Sequence, residues 1–248
     1  MLFALLFGLC VGSFLNVLVL RLKVGERLTG RSRCPRCQKQ LTWYHNIPLV
    51  SFVALRGQCA FCQKPISWQY PLVEVASGLL WLAAYLNFGS GSLLDVFAFG
   101  IFASVLLTLF VFDVRWYVLP DEVTVPGIAL ALVLNLVRGY SWVELVLTSL
   151  TGAAFFFVQH AVSRGRWVGS GDIRLGALMG AMLGTFTGLG VALALAYVSG
   201  SLVGIGLIVA KRRRLSSQLP FGAFLAPATV MALLWGDKLW QWYLGLLW

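Results

Sequence analysis

The sequence predicts an all-α, polytopic membrane protein with about eight transmembrane helices. Two observations carry that prediction. Hydrophobic side chains make up 59% of the 248 residues and charged ones only 11%, with a mean hydropathy of +0.85. A soluble domain has about a quarter of its residues charged, so a water-soluble globule is excluded. The second observation is patterning: charges cluster between long apolar stretches, whose breaks carry turn residues.

The first stretch, Met1 to Leu20, is uncharged, and Arg21, Lys23, Arg27, Arg31 and Arg33 follow it. A cleaved signal peptide carries its basic residues first, so this order predicts a retained span with the N-terminus outside. Cys10, preceded by Leu9, makes a poor lipoprotein site and reads as a small apolar residue. Residues 21 to 70 form the long polar stretch, with nine Lys and Arg against one acid, Glu26. The positive-inside rule places that loop in the cytoplasm. Seven further apolar stretches run at 71–88, 94–113, 122–138, 142–162, 174–186, 189–210 and 220–247. Breaks fall at Gly89 to Ser92, Leu119-Pro120-Asp121, Gly139-Tyr140-Ser141, Gly165 to Asp172 and Ser216 to Pro220. Threaded from an outside N-terminus, the chain puts 17 of its 19 basic residues inside, the run Lys211 to Arg214 included, and leaves Arg138 and Lys238 outside. Eight crossings return the C-terminus to the outside. Trp235, Trp240, Trp242, Tyr243 and Trp248 suggest an interfacial aromatic belt on the last stretch. The net charge of +10 is thus explained by topology, with some attraction to anionic membrane lipid, and nucleic acid is not an expected partner.

Four of the five cysteines lie in the cytoplasmic loop as Cys34-Pro-Arg-Cys37 and Cys59-Ala-Phe-Cys62, with 21 residues between the knuckles. That spacing suits a tetrahedral structural zinc ion. Two disulfides or a redox pair is the competing reading, disfavoured where the cytosol keeps thiols reduced. Metal binding would supply folding free energy to a loop with little hydrophobic mass.

Nine carboxylates are few enough to weigh singly, because an ionised one in hydrocarbon is costly. Glu26, Asp95, Glu122, Glu144 and Asp237 sit at span ends or in loops, where water solvates them. Glu74, just inside the second span, admits both a structural and a functional role. Asp113 in Phe110-Val-Phe-Asp113-Val-Arg115 and Asp172 in Gly169-Ser-Gly-Asp172-Ile-Arg174 both map to the cytoplasmic interface. Gly169 and Gly171 leave room beside Asp172 for another helix or an extended peptide. Three readings stand open from the residues alone: an aspartic-protease dyad, an ion or proton pathway, and structural pairing with Arg115 or Arg174. A nonenzymatic transporter or zinc-stabilised assembly scaffold is the alternative class of function. No convincing repeat relates the two halves, as an inverted-repeat transporter would require.

Taken in order, the motifs resemble the type IV prepilin peptidase family. They are Gly12-Ser-Phe-Leu-Asn16-Val with Arg21; Cys34-Pro-Arg-Cys37; Trp43 with Asn46-Ile-Pro48-Leu; Leu55-Arg-Gly57; Cys59-Ala-Phe-Cys62; and Ile66-Ser67 with Tyr70-Pro-Leu-Val-Glu74. Asp113, Leu119-Pro-Asp121 with Thr124, Gly169-Ser-Gly-Asp172 and Pro220-Phe-Gly222 complete the series. Arg174 departs from the family's usual lysine while keeping the charge. The resemblance implies that Asp113 and Asp172 are the catalytic aspartates of a GxGD membrane protease, with Asp121 supportive. It implies cleavage of type IV prepilins or pseudopilins after a glycine that ends a basic leader, on the cytoplasmic side of the bacterial inner membrane. It also implies methylation of the new N-terminus, usually phenylalanine, with S-adenosylmethionine. No Gly-rich Rossmann fingerprint locates that methyl donor, for which Asn16, Glu74 and the zinc loop are the candidates. The expected organisation is a methyltransferase-associated region, 1–88, carrying the zinc loop (21–70), followed by a peptidase core, 89–248.

Overall fold

The computed structural model describes residues 1–210 and 220–246. The basic run Lys211 to Arg214, the break at 216–219 and Trp248 lie outside the described residues. The fold is all-α: α1 (Leu2–Val24), α2 (Val50–Ala54), α3 (Gln69–Phe88), α4 (Leu93–Trp116), α5 (Asp121–Val137), α6 (Trp142–Ser163), α7 (Ser170–Leu183), α8 (Phe186–Val209) and α9 (Gly222–Gly245). The chain parts into two compact units, Met1–Leu107 and Thr108–Trp248, with α4 running across the division.

Every apolar stretch seen in the sequence becomes a helix. Five of these, α1, α3, α4, α6 and α8, are long and apolar enough to cross a membrane, so the chain is a multi-pass membrane protein. The expected count of eight crossings does not follow from helix length. The hydrocarbon core is about 30 Å thick, and α7, with 14 residues, rises only about 21 Å. Helix α5 has 17 residues with Pro126 inside it.

In the first unit, small residues bring α1 and α3 together. A Cβ on Gly8 would lie 2.7 Å from the Trp81 Cβ, and one on Gly12 would lie 2.7 Å from the Glu74 Cα. The Ser77 hydroxyl donates to the Gly8 carbonyl at 2.7 Å, a polar clasp inside the close crossing. Helix α1 stops at Gly25, whose φ of 69° supplies the left-handed cap. Beyond it, the Arg21 guanidinium donates to the carbonyls of Arg27, Leu28, Gly30 and Arg31 and so ties down the start of the polar loop.

In the second unit, α7 is the buried centre, with Leu175, Gly176 and Leu178 through Leu183 all buried. Its glycines permit backbone-to-backbone packing on α6: a Cβ on Gly176 would reach within 2.3 Å of the Gly152 carbonyl oxygen. The Thr148 and Ser149 hydroxyls donate to the carbonyls of Gly180 (3.0 Å) and Ala177 (2.9 Å). The Asn135 amide donates to the Ala181 and Met182 carbonyls, satisfying acceptors that the end of a buried helix leaves exposed. These contacts hold a short polar-tipped helix inside protein, where its N-terminal carboxylate can be kept.

Candidate functional site

The cysteine loop is built from two copies of one small turn. In the first, the Cys34 N–H donates to the Lys39 carbonyl (3.0 Å) and the Gln38 N–H to the Cys34 carbonyl (2.9 Å). In the second, Cys59 pairs with Lys64 and Gln63 with Cys59 at the same distances. Gln38 and Gln63 share positive φ values of 59° and 55°. Isolated bridges Arg33–Gln40 and Gln58–Pro65 close the two turns equivalently. The signal was present in the sequence as Cys-x-x-Cys-Gln-Lys written twice.

The turns bring the Sγ atoms of Cys34, Cys37, Cys59 and Cys62 within 4.8 Å of one another, with Cys34 and Cys62 4.0 Å apart. A tetrahedral zinc ion with ~2.3 Å bonds separates its sulfurs by about 3.8 Å, so the set fits the metal. The surroundings act unequally on the thiols. N–H groups of Cys62 and Phe61 draw the Cys59 thiol down to about 7. The Lys39 N–H draws on Cys37, but burial and the neighbouring Cys34 and Cys62 push that thiol up to about 11. Four thiolates at this spacing need a cation to coexist.

The two aspartates lie in the second unit, and each is held by backbone N–H at the start of a helix. Asp113, in the last turn of α4, is 6% exposed. Its Oδ2 accepts the Ala223 N–H at 2.8 Å, in the first turn of α9. Gly222 makes this approach possible, since a Cβ there would lie 2.9 Å from that same oxygen. Asp172, in the first turn of α7 and 9% exposed, accepts the Gly169 N–H at 3.0 Å. The positive ends of two helix dipoles therefore face the two carboxyls.

Leu119 joins the aspartate-bearing segments. A Cβ on Gly171 would meet the Leu119 side chain at 3.2 Å, and one on Gly222 would meet it at 3.3 Å. Asp113 and Asp172 are close enough to interact electrostatically. Neither takes part in an ion pair among the described residues. Arg174 pairs instead with Asp121, both partly exposed, tying the start of α7 to that of α5. Arg115 lies over the Trp116 ring, 5.8 Å from its centroid. Structural pairing with Arg115 or Arg174 therefore does not account for the aspartates.

Sequence reasoning missed two contributors here. Pro220-Phe-Gly222 marks a break and the start of the last apolar stretch, but nothing in the sequence ties that helix start to Asp113. An aromatic group was also missed. The Tyr197 ring lies 5.0 Å from Phe221 and 5.9 Å from Phe155, its hydroxyl donates to Gln159 at 2.7 Å, and it lies within electrostatic reach of Asp172. No periodicity in α8 marked it.

Glu74 and Asn16, the candidates for the methyl donor, share a second buried polar cluster, in the first unit. Glu74 is 7% exposed and Asn16 1%.

Fold and clusters together define a polytopic helical membrane protein with two buried, electrostatically interacting aspartates and a four-thiol cluster that could hold a metal ion. The description "Bacterial Peptidase A24 N-terminal domain" fits residues 6–88, and that of the "Type IV leader peptidase family" fits residues 100–209. The chain belongs to the type IV leader peptidase family. It is 35% identical to a prepilin leader peptidase/N-methyltransferase of Aeromonas hydrophila, over 96% of this chain and 92% of the relative. Proteins of the same description from Stutzerimonas stutzeri and Pseudomonas putida are each 32% identical, covering 97% and 95% of this chain and 92% and 91% of the relatives. No solved structure matches.

Proposed function

We propose that the protein is an aspartic endopeptidase of the inner membrane that removes the basic leader of type IV prepilins or pseudopilins, cutting after a glycine on the cytoplasmic side. It then methylates the exposed N-terminus with S-adenosylmethionine. The observation that carries the peptidase half is the arrangement of Asp113 and Asp172, buried, within each other's electrostatic reach and held by backbone N–H of α9 and of the turn before α7.

Two interacting buried carboxyls ionise unequally, so one holds a proton while the other acts as base. The base takes a proton from water as its oxygen adds to the glycine carbonyl, and the acid gives its proton to the carbonyl oxygen. Collapse of the tetrahedral adduct breaks the C–N bond, and the leaving nitrogen takes up a proton from the dyad. No acyl-enzyme forms. Gly169, with no neighbouring side chain other than that of Asp172 within 4 Å of its would-be Cβ, leaves room for an extended leader.

Sidedness rests on charge: the positive-inside rule assigns the basic cysteine loop, and separately the basic segments that follow Asp113 and flank Asp172, to the cytoplasm. Cys34, Cys37, Cys59 and Cys62 would hold a structural zinc ion. The methyltransferase half is assigned to residues 1–88 and the peptidase core to 89–248. S-adenosylmethionine, if bound there, would supply an electrophilic methyl group for the free amine of the cleaved pilin, leaving as S-adenosylhomocysteine while the amine gives up a proton.

Purified protein in lipid, incubated with a prepilin-type peptide and S-adenosylmethionine, should yield a product cut after glycine and carrying one methyl group by mass spectrometry. Neither product in active lipid would sink the reading and favour a transporter or scaffold.

A further inference from the structure

The first unit contains a buried group of hydrogen-bond acceptors with too few donors. The Glu74 Oε2 accepts the Leu49 N–H at 2.9 Å, and the Ser13 hydroxyl is within hydrogen-bonding reach of the same carboxyl. No cationic side chain pairs with Glu74 among the described residues. Beside it, the Asn16 amide donates to the carbonyls of Gly12 and Tyr70, and its Oδ1 accepts from the Gln69 amide at 3.3 Å. That leaves the Gln69 Oε1 fully buried with no partner among the described residues. A buried carboxylate without a counter-charge and a buried amide oxygen without a donor both cost free energy unless a ligand completes them.

The surrounding loop is shaped to keep this group available. Leu49, with φ 60° and ψ −45°, is the centre of a tight turn in which the Val50 N–H reaches the Pro48 carbonyl at 2.6 Å. This is a conformation a leucine rarely adopts, and it aims the Leu49 N–H at Glu74. The same loop holds a cavity of about 360 Å³, lined by Arg31, Ser32, Thr42, Trp43 and Asn46 among others. That volume lies in the range of small-molecule sites. Its connection to the carboxylate runs through Ser13, whose hydroxyl lies 3.4 Å from the Asn46 carbonyl.

We infer that this cavity and acceptor cluster form the methyl-donor site, with Glu74 and Gln69 receiving a cationic or N–H-bearing end of S-adenosylmethionine and Trp43 offering an aromatic face for its base. The sulfonium and α-ammonium groups of that cofactor are the kind of charge that the cluster lacks. The inference rests on the proposed methyltransferase activity and adds its location.

The test is equilibrium binding of tritiated S-adenosylmethionine to the full-length, zinc-loaded protein in nanodiscs. Glu74→Gln should weaken binding by about tenfold or more, the loss of one charge-assisted contact, and Gln69→Leu by a smaller factor. Zinc content and monodispersity report whether each variant is folded. Wild-type affinity in a folded Glu74→Gln protein overturns the inference. A wild-type protein that binds no S-adenosylmethionine overturns the methyltransferase reading with it. Should the variants fail to fold, ultraviolet crosslinking of the cofactor to the wild type decides. Label in peptides 12–16, 31–49 or 69–74 supports the site, and label confined to Thr108–Trp248 overturns it.

Discussion

Both units bury carboxylates, but they satisfy them differently. Asp113 and Asp172 each receive a backbone N–H at the start of a helix, and they lie within electrostatic reach of one another. Glu74 faces no second carboxylate and receives its N–H from a strained turn, with an orphaned amide oxygen nearby. The first arrangement is complete without a ligand and sets two acids against each other, as water activation requires. The second lacks donors, as a site for a cationic cofactor would. On the proposed function, this difference would divide the chemistry: hydrolysis in the second unit, methyl transfer in the first.

The largest expected effect tests that division. Asp113→Asn or Asp172→Asn should lower leader cleavage by at least 10²- to 10⁴-fold, as removal of an acid or base does. Methyl transfer to a pilin peptide supplied already cut should continue. A gel-shift assay and a labelled-methyl assay on the same preparation would separate the two activities, and equal loss of both would end the division.

Replacing both buried cysteines, Cys34→Ser with Cys59→Ser, should remove the zinc and open the loop to protease. Elemental analysis should fall from one zinc per chain to none, with methyl transfer falling far more than cleavage. Metal retained at full stoichiometry would contradict the ligand set.

Gly222→Ala acts through Asp113, since the added Cβ would crowd its Oδ2. We expect kcat to fall by about tenfold, a displacement worth 1–2 kcal/mol at the carboxylate, with KM little changed. A rise in KM alone would mean that Gly222 touches substrate rather than positioning the aspartate.

The smallest effect belongs to Arg174. Its pairing with Asp121 is half exposed, and such pairs contribute about 0–1 kcal/mol. Arg174→Lys should therefore leave the melting temperature within about 4 °C and the cleavage rate within a factor of about two. A large loss of activity would show that the guanidinium does more than pair with Asp121.

Much of this was legible in the sequence because hydrophobicity and scarce residue types have few ways to be arranged. Apolar stretches had to be helices, and Cys34, Cys37, Cys59 and Cys62 had spacings that close on one point. Asp113 and Asp172 stood out because acids are rare in such a chain. What the sequence hid depends on contacts between segments far apart. Gly222 bears on Asp113 over 109 residues, and nothing local to either announces it. The shortness of α7 was legible, since its apolar stretch spans only 174–186, but that the helix is packed inside protein was not. Hydropathy reports burial, and it does not say whether lipid or protein provides it.

The central claim is that the aspartate pair cleaves the leader. Mass spectrometry of a prepilin-type peptide incubated with the Asp172→Asn protein, folded and reconstituted in lipid, tests it most directly. The account predicts intact peptide under conditions in which the wild type cuts after the glycine. Cleavage at that bond at the wild-type rate would contradict it.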